Sequence, residues 1–177
     1  MTISVIGLNH KSASIEVREK FSFTADNISL LLRRIKKHEQ ISEVIVVSTC
    51  NRTEIYVESQ SGIVDIKNWL LSEKEYKSFS KYLYSYEEED AIKHLFRVVA
   101  GLDSMVIGEN EVLGQVKSAY KIALENKTVD SKLKRLFEYS FSVAKNVRTN
   151  TDIGGNAISF MYTSILLIKK IYFYFIT

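Results

Sequence analysis

The segments EVIVVS (43–48) and TEIYVES (53–59) are separated only by Thr49-Cys50-Asn51-Arg52. The first is a short continuous apolar run, the pattern of a central strand buried on both faces. The second alternates and reads as its neighbour. Four intervening residues leave room for little more than a reversal, so the two strands form a tight hairpin with the cysteine at its tip.

Working outward, residues 2–8 read as a strand, with Ile3 and Val5 facing one way and Ile6 and Leu8 the other. Residues 24–38 read as a helix capped by Thr24, with Ile28, Leu31, Leu32 and Ile35 at helical spacing. Beyond the hairpin, Ile63, Ile66, Leu70 and Leu71 mark a helix over about 63–76, and a tyrosine-rich strand is expected at 81–86. Strand, helix, two strands, helix, strand is the order of a ferredoxin-like split βαβ, so the fold class is α+β, an antiparallel sheet followed by a helical subdomain.

The remainder reads as helical. Glu87 to Asp90 are four acidic residues in a row, favoured at a helix N-terminus, and Gly101 suits the C′ position of the same helix. Further helices are expected over about 110–126 and 131–149, with the pair Gly154–Gly155 ending the second. A last apolar segment covers 158–177. It is long enough to span a bilayer, but Lys169 and Lys170 lie inside it and the reading is of a helix, not a membrane span.

Composition bounds the chemistry. The 177 residues include one cysteine, so no internal disulfide or cysteine zinc cluster can form, and His10, His38 and His94 lack metal-ligand spacing. A net charge of +3 tolerates an anionic partner such as RNA without demanding one. The lone thiol and the N-terminal MTISVIGLNHK, which has no secretory pattern, point to the cytoplasm.

Cys50 has the most chemical potential. Exposure and a nearby cation favour thiolate, and Arg52 can supply that cation or hold a substrate carboxylate through its planar fork. Thr49 and Asn51 offer donors to an acyl group. On these grounds alone an inert thiol is the commoner reading of a lone cysteine at a strand end. His94 lies at the border of the apolar arc formed by Ala91, Leu95, Phe96 and Val98, a position that by spacing alone is more often that of a packed or solvated histidine than of a catalytic one.

Longer strings carry more. GLNHKSASIEVREK (7–20), STCNRTEIY (48–56), HLFRVVAGLDSMVIGENEVLGQVKSAY (94–120) and TDIGGNAIS (151–159) resemble, in order, the motifs of glutamyl-tRNA reductase, over essentially the whole chain to about residue 170. The resemblance implies that Cys50 attacks the ester of glutamyl-tRNA and forms a thioester. NADPH then reduces it to glutamate-1-semialdehyde, which enters tetrapyrrole synthesis. It further implies that His94 assists, by helping to deprotonate the thiol or to release the ribose hydroxyl. Thr49, Asn51, Arg52, Ser104, Glu109, Asn110, Glu111 and Gln115 are implied as substrate-binding residues. Glu111 and Gln115, four apart, share a helix face, with Glu109 at its entrance. Carboxylates there suit the glutamyl α-ammonium, and Arg52 suits the side-chain carboxylate.

The same resemblance divides the chain into a catalytic domain at 1–150 and the start of a connecting helix at 151–177. Family members continue into a Rossmann NADPH domain and a helical homodimerisation region, and no Gly-x-Gly-x-x-Gly follows a strand here. The expectation is that this chain alone does not complete the reduction. The alternative is a non-catalytic remnant that binds tRNA or a protein.

Overall fold

The computed structural model describes residues 1–109 and 111–154, apart from the side chains of 74 and 75. The elements run β1 (Thr2–Asn9), α1 (Ile15–Lys20), α2 (Ala25–Lys36), β2 (Ile41–Ser48), β3 (Arg52–Ser59), α3 (Ile63–Ser72), α4 (Lys74–Lys77), β4 (Tyr84–Glu87), α5 (Glu88–Val99), α6 (Glu111–Glu125) and α7 (Lys132–Asn150). The sheet order is β2-β3-β1-β4, with each neighbouring pair antiparallel. That is the ferredoxin-like split βαβ arrangement, followed by three helices.

Alternation along β3 sorts the layers. Arg52, Glu54 and Tyr56 share one face, and β1 sets Asn9, Gly7 and Val5 opposite them. Helices α5 and α7 lie on this face, since His94 reaches Glu54 and the Phe137 ring meets Tyr56 edge-on at 5.3 Å. Helices α2 and α3 pack on the sheet as well and cover its opposite face. Every residue of β3 is therefore buried, polar ones included.

The expectation of a central strand at 43–48 is corrected. β2 is an edge strand by hydrogen bonding, yet it reads as central because helices cover both of its faces. Its open edge is closed by the α6–α7 turn. The Val44 N–H donates to the Thr128 carbonyl at 2.8 Å, and the Thr128 hydroxyl donates back to the Val44 carbonyl at 3.0 Å. From the same strand the buried Glu43 carboxylate accepts the backbone N–H groups of Asp130, Lys132 and Leu133, and so caps α7.

Other boundaries move. The helix placed at 63–76 ends at Ser72, and a separate turn of helix follows at Lys74–Lys77. The strand placed at 81–86 begins as a 3₁₀ turn (Ser80–Tyr82) and becomes strand only at Tyr84. Thr24 stands at the N-cap of α2 but makes no side-chain capping bond. α7 stops at Asn150, where Thr151 turns extended, before the Gly154–Gly155 pair. Gly101 behaves as expected: at φ +77° it follows Ala100, and the bonds Gly101 N–H to Val98 O and Leu102 N–H to Arg97 O complete a Schellman motif. Asn110 and the segment 158–177 lie outside the described residues. Among the described residues no helix is long and apolar enough to cross a membrane.

Candidate active site

The β2–β3 reversal is a two-residue hairpin loop with Cys50 and Asn51 at its tip. Thr49 N–H donates to the Arg52 carbonyl at 2.8 Å, while the Thr49 hydroxyl oxygen accepts the N–H groups of Asn51 and Arg52, both at 3.2 Å. Thr49 thus shapes the turn from within. Three hydrogen bonds from two residues fasten the tip from outside: Arg18 of α1 donates to the Cys50 carbonyl at 2.6 Å and to Asn51 Oδ1 at 3.1 Å, and His10 N–H donates to the Asn51 carbonyl. The thiol itself is exposed.

Two residues beyond the cysteine, the chain enters a buried ionic network. The Arg52 guanidinium, 1% exposed, donates to Glu54 Oε1 at 2.7 Å and to the carboxylate and carbonyl of Asp103. Lys11 closes the far end on Asp103 Oδ1. Glu54, fully buried, also accepts from the Tyr56 hydroxyl at Oε2 (2.6 Å), and from Tyr84 and His94 Nε2 (2.8 Å) at Oε1. Burial alone would push the Glu54 carboxyl up; the Arg52 charge and these donors outweigh it and hold the group well below the ordinary range. Burial and the same carboxylate push both tyrosines up, so they remain neutral donors.

Room for this cluster comes from Gly7. It lies opposite Glu54 on one side and Tyr84 on the other. A Cβ there would stand 2.8 Å from Glu54 Cγ and 2.4 Å from the Thr53 carbonyl oxygen. Without it, Tyr84 reaches across β1 to the Glu54 carboxylate. An ionised carboxylate accepts only, so Nε2 of His94 carries the hydrogen and a neutral ring presents Nδ1 as its lone pair. The ring is held against Tyr86 and Tyr84 at centroid distances of 5.0 and 5.5 Å.

Two cavities flank the hairpin. One, about 530 Å³, is lined by His94, Tyr84, Tyr86, Lys11, Asp103 and Arg97 among others. The other, about 450 Å³, lies between α2 and α6 and is lined by Ser48, Phe23, Glu111, Gly114 and Gln115 among others. Glu111 and Gln115 do share one helix face. Ser48, two positions before Cys50, lines the second cavity, and Asn9, which faces Arg52 across the sheet, lines the first; Cys50 is in the lining of neither. Glu109 is buried, and burial together with Glu111 raises its carboxyl above the ordinary value. Ser104 is buried with its hydroxyl unpartnered.

Sequence reasoning assigned no role to Glu54, Asp103, Lys11, Tyr84 or Arg18. All but Tyr84 fall inside strings already singled out, but their partners lie up to 94 residues away and no local pattern connects them.

The sequence profile described as Glutamyl-tRNAGlu reductase, N-terminal domain, matches residues 6–151. The chain belongs to the glutamyl-tRNA reductase family. It is 43% identical over 176 residues to the glutamyl-tRNA reductase of Aliivibrio fischeri and 45% identical over 178 to that of Pseudoalteromonas translucida, covering 97% of this chain and 42% of each relative. The solved glutamyl-tRNA reductase from Methanopyrus kandleri superposes with a TM-score of 0.74 at 28% identity, over 95% of this chain and 39% of that one. The chain thus spans about two fifths of the length of these glutamyl-tRNA reductases, and what they share with it is the N-terminal domain.

A dinucleotide does not fit the described residues. The strand-to-helix turn that carries a glycine, Gly62 before α3, has only one, and the Ile63 N–H where a phosphate would seat already donates to the Glu87 carboxylate at 2.6 Å.

Proposed function

We propose that this domain performs the acyl-transfer half of the glutamyl-tRNA reductase reaction. Cys50 Sγ attacks the carbonyl carbon of the ester joining glutamate to the terminal ribose of tRNA. The C–O bond breaks, the ribose oxygen leaves as a hydroxyl, and glutamate remains as a thioester on Cys50. The thiol proton passes to Nδ1 of His94 and from there to the departing oxygen. Glu54 keeps the imidazole in the tautomer this requires.

The glutamyl group is read by the residues on either side. Glu109 and Glu111 form a like-charged pair with no ion-pair partner among the described residues, suited to an α-ammonium. Gln115 stands one turn beyond Glu111, with Ser104, Asn110, Thr49 and Asn51 completing the set. Arg52, which the resemblance assigns to the substrate carboxylate, is buried and committed to Glu54 and Asp103, and its part is to fix the base of the hairpin. Reduction of the thioester by NADPH to glutamate-1-semialdehyde, the entry to tetrapyrrole synthesis, is the family's second half-reaction. No step of it is assigned to these residues.

The observation that carries the reading is the placement of an exposed thiol on the hairpin whose second strand supplies the carboxylate that orients His94. A single-turnover assay with glutamyl-tRNA labelled in the glutamyl group tests it, comparing wild type with Cys50→Ser. Label trapped on protein, or glutamate released, only when Cys50 is present is the expected result. A folded protein with no thiol-dependent turnover would sink it and leave a tRNA-binding module.

A further inference from the structure

Several cations of this domain have a carboxylate partner. Arg52 faces Glu54 and Asp103, Lys11 faces Asp103, Lys132 faces Glu58, and Lys93 and Lys121 face the carboxylates one turn away. The groove between α6 and α7 is different. It encloses about 460 Å³ and is lined by Lys117 from α6 and by Lys145 and Arg148 from α7, with no carboxylate among its lining residues. Residues 141, 145 and 148 fall on one helical face, so the register of α7 alone brings Phe141, Lys145 and Arg148 to the groove. Lys117 crosses from the other helix, its Nζ 5.7 Å from the centre of the Phe141 ring.

Arg148 supplies a second, independent observation. Its Nη2 donates to the Glu109 carbonyl at 2.9 Å, but its Nε is buried with no acceptor in reach. A buried donor left open is uncommon in folded proteins and marks either a cost or a missing partner. Here the missing partner has a definite chemistry: two lysines and a guanidinium line one groove with no carboxylate among its described lining residues, which suits a phosphate oxyanion.

We propose that the α6–α7 groove is a phosphate clamp for the tRNA substrate, in which Lys117, Lys145 and the guanidinium of Arg148 bind the RNA backbone. Arg148 then links the clamp to the reaction site, because the same guanidinium holds Glu109, which precedes α6 and carries one of the two carboxylates assigned to the glutamyl ammonium. A phosphate seated beside the guanidinium holds Arg148 in place, and with it the Glu109 carbonyl that Nη2 bonds. The identity of the RNA as substrate rests on the function proposed above; the clamp itself rests on the charge and geometry of the groove.

The test is binding of unacylated tRNA(Glu) to the full chain across 50–300 mM salt on the order of the usual counterion-release range. Wild type is compared with Lys117→Ala/Lys145→Ala, with Arg148→Lys, and with the control Lys81→Ala/Lys121→Ala, which removes two charges outside the groove. Removing two phosphate contacts is expected to weaken binding about tenfold near 0.1 M salt and to lower the slope of log K against log salt by about 1.5. Arg148→Lys, which keeps the charge but loses the fork, is expected to weaken binding as well, and the control pair to stay within about twofold of wild type. Equal affinity and slope for wild type and the Lys117/Lys145 variant would overturn the clamp, as would an equal loss in the control. The outcome is separable from the thiol chemistry. Cys50→Ser is expected to bind tRNA as wild type does, and thioester formed from a small activated glutamyl ester by a protein that does not bind tRNA would remove the clamp and leave acyl transfer standing.

Discussion

His94 Nε2 lies 2.8 Å from Oε1 of Glu54, a carboxylate with no solvent exposure that is also bound to Arg52, Tyr56 and Tyr84. A histidine held this way has one nitrogen committed and one left for chemistry. The strand that carries the thiol hairpin thereby also orients the imidazole.

His94→Gln retains a donor for Glu54 while removing the basic nitrogen. Its expected effect is a fall in Cys50-dependent acyl transfer of about 10²- to 10⁴-fold, the usual contribution of a positioned acid–base group. Its melting temperature should stay within a few degrees of wild type, about 1 kcal/mol at most. Single-turnover rates beside calorimetry check this, and a full rate in a stable variant would exclude His94 from the reaction.

Glu54→Gln, in contrast, leaves Arg52 buried with half of its counter-charge gone. Loss of one partner from a buried pair costs about 3–5 kcal/mol, so destabilisation of that order is expected at neutral pH, measured by urea unfolding.

The same carboxylate predicts an acid limb. Its folded value lies below its ordinary 4.5, and that of Asp103 lies below 3.8 because Lys11 and Arg52 outweigh burial. Groups depressed on folding contribute stability that is present above their unfolded values and is lost as pH falls through the folded ones. Wild-type melting temperature should therefore drop from about pH 4.5 downward, and the drop should be shallower in Glu54→Gln. Parallel curves for the two proteins would contradict this assignment.

Gly7→Ala inserts one methyl where 2.4 Å separates it from the Thr53 carbonyl oxygen. The β1–β3 pair has to part at the residue facing Glu54. A cost of about 1–3 kcal/mol is expected from overpacking, together with loss of acyl transfer, because Tyr84 and His94 no longer converge on one oxygen.

Thr128→Val keeps the shape of the α6–α7 turn but removes the hydroxyl whose one hydrogen is shared between the Val44 carbonyl at 3.0 Å and the Ala123 carbonyl at 3.2 Å. A buried acceptor left open costs about 1–3 kcal/mol. It also loosens the cover over the β2 edge, so unfolding at lower urea should be accompanied by concentration-dependent light scattering.

The four strands and the longer helices, in their order, followed from local signals; α1 at Ile15–Lys20 and the separate turn at Lys74–Lys77 did not. Apolar periodicity placed α2, α5, α6 and α7, and the short spacing between two apolar runs placed Cys50 at a hairpin tip. Gly101 marked the end of α5 because a C′ residue needs positive φ. These features depend on neighbours a few residues away, and a single sequence contains that information in full. The family motifs were legible for the same reason: each is a contiguous string.

What the tertiary structure decided is which distant residues meet. β2 reads as central because hydropathy registers burial, and burial comes here from helices on both faces and the Thr128 turn along the edge, not from a second hydrogen-bonded strand. Arg52 looked available for a substrate, yet it sits inside the fold, neutralised by Glu54 and by Asp103 from a loop fifty-one residues on. Glu54 could be recognised as the group orienting His94 only once β1 lay between β3 and β4 with a glycine at the crossing. Charges bury only when paired, and pairing is a property of three-dimensional neighbours, so the composition of the site was written in the sequence while its connections were fixed by packing.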